Sequence, residues 1–403
     1  MAPSAHDSAY SWARLGLTLV VGSIGSAGIW MIVMIMPAVE ADFGVGRGEA
    51  SLPYLVTMLG FALGNFVFGR AVDRLSYHVA QGIAAVIAAF GYVIATWSTS
   101  IEFLIAAQFI LGLGSAASFG PLVADISHWF MRRRGVAVSV AACGNYFAGA
   151  IWPVALGSVL AEDGWRAVYL WMAVITLTIL PMMLLLRRKL PQDATAKAAA
   201  QAAARAASVG LSPRALQILL SLAGLACCVA MSMPQVHIVS YCVDLGYGPA
   251  VGAEMLALML LTGVASRIIS GAVMDWLGGV KTVLIGSVLQ CLSLMLFLPF
   301  DGMVSLYMIS AIFGLAQGGL VPGYAVIIRE YMAPEEAGKR VGTVIMFTVF
   351  GMALGGWMTG WIYDLTGDYQ TAFLNGIAWN LVNMTVMILL LTRAGGAAQT
   401  SRA

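Results

Sequence analysis

The sequence predicts an all-α membrane protein whose twelve transmembrane helices form two pseudo-symmetric halves of six. Three observations carry that prediction: an apolar composition, a regular succession of span-length apolar runs, and a repeat across the middle of the chain. Of the 403 residues, 60% are hydrophobic and only 10% are charged, and the mean hydropathy is +0.88. Soluble domains carry roughly 25% charged residues. The surplus apolar surface must face a solvent other than water, and lipid is the one available.

A helix needs about 20 mainly apolar residues to cross a bilayer. Runs of that kind fall at 15–38, 51–73, 79–98, 102–125, 136–160 and 166–187. A second set falls at 215–241, 251–275, 281–299, 303–327, 340–364 and 370–392. Between the sets lies 190–212, with the low-complexity stretch AKAAAQAAARAA, whose Lys197 and Arg205 keep it out of the hydrocarbon. It reads as a polar linker, which divides the chain into 1–189, 190–212 and 213–403. The segment from Met1 to Ser11 lacks a basic region and a small-residue cleavage site, so the first run reads as a retained span.

The net charge of +2 offers nothing to a nucleic acid. Cys143, Cys227, Cys228, Cys242 and Cys291 are odd in number, lie in apolar segments and show no metal spacing. They read as small packing residues, and neither a cofactor nor a metal is expected. Positive charge sets the orientation. Starting from the N-terminal tail, alternate segments hold 18 of the 21 Lys and Arg, while the opposite loops hold only Arg47 and Arg166. Both termini and the linker are therefore expected in the cytoplasm. The remaining cation, Arg267, is inside a span.

The halves repeat at a nearly fixed offset. Gly69-x3-Asp73 recurs as Gly271-x3-Asp275, 202 residues later. Trp129 and Gly135 correspond to Tyr331 and Gly338, and Gly164 to Gly367, at offsets of 202 or 203. Parallel six-helix repeats are one established transporter plan. Gly69 and Gly271 allow close helix approach, and Asp73 and Arg74 sit where a helix ends at the membrane surface. A carboxylate there can accept from a neighbouring helix N-terminus and latch one conformation.

GRAVDRLS at 69–76, with its degenerate copy GAVMDWLGG at 271–279, resembles the loop signature of the major facilitator superfamily. HWFMRRRGVAVS (128–139), GWRAVY (164–169), MPQVHIVSYCVDLGYGP (233–249) and GWIYDLTGDYQTAF (360–373) are similar to pieces of its monocarboxylate and oxalate–formate carrier branch. The resemblance implies the major facilitator fold and secondary transport by alternating access. It also implies that an arginine on the eighth span anchors the anion, the position of Arg267. Animal monocarboxylate carriers keep an aspartate four residues earlier and a lysine on the first span. Here Gly263 takes the first position, and no lysine occurs between Leu15 and Ala38. Oxalate carriers add a lysine on the eleventh span, absent between Val341 and Asp364. One buried cation matches a monoanion better than a dianion.

The residues themselves support a polar site. A charge at mid-membrane costs roughly 2.5–3.5 kcal/mol on insertion scales, so Arg267 is a functional candidate by default. It lies eight residues before Asp275, roughly 12 Å along a helix, too deep to snorkel easily. Its fork matches a carboxylate; the alternative is an ion pair with a neighbouring helix. His237, three residues beyond Pro234, suits a carboxylate or a coupled proton, or else a hydrogen-bonded gate. Asn65, Asn145, Tyr146, Gln317 and Tyr324 are neutral polar candidates, or interhelical hydrogen-bond partners. Trp30, Phe119, Trp152 and Phe347 could wall a cavity or pack. The glycine clusters at 112–114 and 351–356 mark close helix contacts, since no strand precedes them as a phosphate loop requires.

The expected function is a secondary carrier of a small monocarboxylate in the cell membrane, by proton symport or exchange, acting as a monomer within lipid. A carrier of a larger compound, such as an aromatic acid, vitamin or drug, is the alternative. Sparse intramembrane His, Asp and Glu argue against an enzyme. The charge asymmetry predicts that Ala198→Cys, in a cysteine-free background, resists an impermeant thiol reagent added outside intact cells. Efficient labelling would reverse the topology.

Overall fold

In the computed structural model, residues 7–130, 133–187, 212–332 and 334–400 are described. The expected linker lies outside them except for Ser212. Among the described residues, twelve helices are long and apolar enough to cross a membrane. The first half holds Ala9–Phe43, Arg47–Val72, Tyr77–Thr96, Ile101–Ser127, Val136–Ala155 and Gly157–Leu185. The second holds Pro213–Asp244, Pro249–Leu277, Gly279–Leu296, Met303–Ile328, Arg340–Thr366 and Gln370–Arg393. They are the first to twelfth spans below. The first span starts earlier than hydropathy suggested because Ser8 accepts from the Ser11 amide and caps the helix at Ala9. Ser212 caps the seventh span in the same way, with Pro213 in the first turn.

The two halves share their breaks as well as their spans. Gly44 and Gly246 have φ of 64° and 80°, Ser76 and Gly278 of 71° and 83°, and Gly164 and Gly367 of 79° and 75°. These left-handed residues end or redirect the chain at the sequence repeat's own offset. The fourth and tenth spans are broken too. A tight turn at Ala116–Ser118 precedes Pro121, and Gly318–Gly319 precedes Pro322. Pro322 has no N–H to bond the carbonyl four residues back, so the Gly318 oxygen is left for another donor.

The first and seventh spans are central: 89% and 72% of their most apolar windows are buried, against 39% for the second and twelfth. Spans at the periphery turn large apolar side chains outward, among them Phe66, Trp171, Trp276 and Leu365, where lipid is their solvent. Small residues set the helix crossings. A Cβ on Gly112 would collide with the Thr57 backbone, and one on Gly351 with that of Leu225. Both glycine clusters therefore do mark close contacts. By contrast, nothing lies within 4 Å of where a Gly69 side chain would start.

These crossings generate a stability prediction. Gly112→Val overpacks a backbone contact and should lower the stability of the purified protein by about 1–3 kcal/mol. Gly157→Ala, which meets nothing within 4 Å, should melt like the parent. Equal melting temperatures for both variants would refute the packing assignment.

Candidate functional site

Polar contacts join the halves at two levels, each built around a buried arginine. Arg267, on the eighth span, is 5% exposed. Its Nε donates to the Gly318 carbonyl at 3.2 Å, the oxygen freed by Pro322. Nη1 crosses to the first half and donates to the Ala142 carbonyl at 2.7 Å. The guanidinium carbon lies 4.0 Å from the centre of the Tyr146 ring. A Cβ on Gly263 would come within 2.8 Å of that ring, so Tyr146 fills the room a side chain at 263 would need. No carboxylate pairs with Arg267 among the described residues. Two carbonyl dipoles and a π face offset part of a full buried charge. A bound anion would supply the rest.

The other candidates divide around this centre. Gln317 precedes Gly318, and its Oε1 accepts from Gln235 Nε2 at 2.9 Å. Gln235 Oε1 and Gln317 Nε2 are buried without partners. Gln235, two residues before His237 on the seventh span, escaped the sequence reading. Asn145 turns toward the first span, where its Oδ1 accepts from Trp30 Nε1 at 2.8 Å. Tyr324 lies 2.8 Å from Asn383 Oδ1, tying the tenth span to the twelfth. Asn65 Oδ1 accepts from the Gly120 amide at 3.1 Å and braces the broken fourth span. Asn65 is displaced from Arg267 by the repeat offset, so one position in each half braces its broken span.

The second level lies on the face opposite the termini. Arg47 starts the second span and is also 5% exposed. Its guanidinium pairs with Glu40 (Nε–Oε2 3.0 Å) and with both oxygens of Asp244. Nη1 also donates to Tyr369 Oη at 2.7 Å, and the Tyr363 ring centre is 4.5 Å from the guanidinium carbon. Asp364 accepts from the amides of Arg47 at 2.9 Å and Gly48 at 2.7 Å, opposing the positive end of the second span. Arg47 and Glu40 belong to the first half; Asp244, Asp364 and Tyr369 belong to the second. This cluster ties the two halves together at that face.

His237 meets the second level, not the first. Its Nε2 is 2.7 Å from the Gly356 carbonyl and its Nδ1 3.4 Å from Tyr369 Oη. A sequence signal for Arg47 did exist. It is one of two cations on the cation-poor side, set between Gly46 and Gly48. Of the expected latch residues, Arg74 and Asp275 are exposed and Asp73 lies on the helix Leu52–Leu75. Gly271 comes 3.9 Å from Ser139 Oγ of the first half if a Cβ is built on it.

Comparison with known proteins agrees with this architecture. The family model described as Major Facilitator Superfamily matches residues 18–303 and 250–403. Monocarboxylate transporter 13 of Rattus norvegicus is 24% identical over 392 residues, covering 95% of this chain and 90% of the rat protein. Monocarboxylate transporter 4 of Gallus gallus is 23% identical, covering 96% and 83%. A bacterial homologue of the human lysosomal transporter Spinster, solved in an inward-facing and occupied conformation, has the same fold. Its TM-score is 0.68 at 13% identity, with 98% of each chain covered.

The π face under Arg267 can be tested by itself. Tyr146→Phe keeps the face and loses only the hydroxyl's interaction with Arg267, so it should melt closer to the parent than Tyr146→Leu. Tyr146→Leu should cost about 1 kcal/mol. A Leu variant as stable as the Phe variant would show that the ring does not offset the charge.

Proposed function

Because the chain belongs to the major facilitator superfamily, we propose that it moves a small organic anion, a monocarboxylate, across the membrane by alternating access. It is a multi-pass membrane transporter, not an enzyme. The observation that supports the anion is Arg267, a buried cation with carbonyl and aromatic partners but no carboxylate among the described residues. The guanidinium presents parallel donors that fit one carboxylate. Tyr146 underlies it, and Gln317, the residue before Gly318, carries a buried donor without a partner. The printed names of the rat and chicken relatives point the same way.

With the termini in the cytoplasm, as the cation asymmetry supports, the face closed by Arg47 is extracellular and this conformation faces inward. Substrate then leaves toward the cytoplasm while the Arg47 cluster seals the other side. The reverse conformation would break the Arg47 cluster. It would bring the cytoplasmic ends together around Gly69, Asp73, Arg74, Gly271 and Asp275, the proposed latch. The open surroundings of Gly69 in this conformation are consistent with that exchange.

Arg267→Lys keeps the charge but loses the planar fork, so monocarboxylate uptake into proteoliposomes should fall at least about tenfold. Arg267→Ala should abolish both uptake and ligand-induced thermal stabilisation. Because no carboxylate is stranded by it, the ligand-free protein should lose less than the 3–5 kcal/mol typical of breaking a buried ion pair, roughly. Full uptake by the alanine variant would overturn the proposal.

A further inference from the structure

Arg47 and a proton on His237 compete for the same acceptors, and we propose that this makes the outer gate a proton-binding site coupled to gate opening. The inference rests on the transporter reading for its sense of outside and inside. The bonding pattern defines the closed state. A carbonyl only accepts, so Nε2 of His237 carries a hydrogen and donates it to Gly356. Burial raises the Tyr369 phenol well above its usual range, so Oη keeps its hydrogen and directs it to Nδ1 of His237. The Oη lone pairs face Arg47, which donates at 2.7 Å. In the closed gate His237 is thus a neutral ring whose Nδ1 is already used as an acceptor.

The groups around this ring and its partners come from five elements: the first, second, seventh and eleventh spans and the segment before the twelfth. The seventh span contributes Asp244 and Tyr241, and the eleventh contributes Asp364, Tyr363 and the Gly356 carbonyl. Tyr369 precedes the twelfth, and Arg47 and Glu40 come from the first half. Of these only Arg47 is cationic, and it leaves with the first half when the gate opens. Asp244 and Tyr369 then stay behind with His237, having lost their cation. A proton from external water can bind Nδ1, which turns from acceptor to donor. Tyr369 Oη, released by Arg47, now accepts from it. Closure reverses the exchange, because a protonated ring would face the returning guanidinium and lose the Tyr369 bond.

The sign follows from linkage. The open gate binds the proton better, so acid outside favours opening and alkali favours closure. The change sets in as the pH falls into the ordinary imidazole range, about 6.5, and continues below it, because the closed gate keeps the ring neutral. Ser240, buried one turn above His237 on the same helix, provides a sensor. In a cysteine-free background, Ser240→Cys is reacted with an impermeant thiol reagent from outside, and rates are divided by those of exposed Asp163→Cys. The normalised rate should rise as external pH falls from 8 to 6, by no more than about tenfold per pH unit for one linked proton. His237→Gln retains a donor for Gly356 and an acceptor for Tyr369 but does not titrate. It should hold the rate at the low value seen at pH 8. His237→Asn carries the same expectation if the glutamine variant does not fold. Arg47→Gln should raise the rate at every pH. An unchanged pH response in the His237 variants, a flat response in the parent, or no effect of Arg47→Gln would overturn the inference. No substrate is present, so these outcomes are independent of whether a carboxylate binds Arg267.

Discussion

Arg267 is a guanidinium buried between helices with no carboxylate partner among the described residues, and the helices around it are shaped to hold it. Arg267 is held by the Gly318 and Ala142 carbonyls and by the face of Tyr146. Each of those partners needs a feature elsewhere. The Gly318 oxygen is free because Pro322 lacks an N–H and the tenth span breaks before it. The ring of Tyr146 reaches the guanidinium because residue 263 is a glycine. The contact with Ala142 spans the two halves, so the proposed anion site is also a joint between them.

The two buried arginines are opposites. All three guanidinium nitrogens of Arg47 are engaged, by two carboxylates and a phenol. Arg267 has no anion among the described residues. A satisfied ion pair holds a conformation, whereas an uncompensated cation attracts a ligand. One arginine therefore suits a gate and the other a binding site. Tyr369 and His237 continue the Arg47 cluster along the seventh span. The sequence reading offered His237 for the anion or for a gate; its contacts are with the Gly356 carbonyl and Tyr369, not with Arg267.

Much of this was legible in the chain. Twelve apolar runs gave twelve spans, because each must satisfy its backbone internally and hide its polar groups. The repeat offset found at Gly164 and Gly367 reappears in the left-handed backbone of both. Arg267 stood out as a lone cation in an apolar run. The helix breaks did not stand out, since hydropathy averages over them; Pro121 and Pro322 were the available signals. Arg47 was read only as a topology marker. Its partners Asp244 and Asp364 are 197 and 317 residues away, and a cation at a span end carries no sign of distant carboxylates. Asn65 and Tyr324 illustrate a further limit: a polar residue in a span signals a hydrogen bond, but not whether a ligand or a helix receives it.

In the proposed mechanism Arg267 supplies an uncompensated charge to a monoanion. The most direct measurement is calorimetric titration of the purified protein with a monocarboxylate and, separately, with its neutral amide of nearly the same shape. The account predicts binding of the carboxylate alone, and loss of that binding in Arg267→Ala. Equal affinity for acid and amide, or carboxylate affinity that survives removal of the guanidinium, would contradict it.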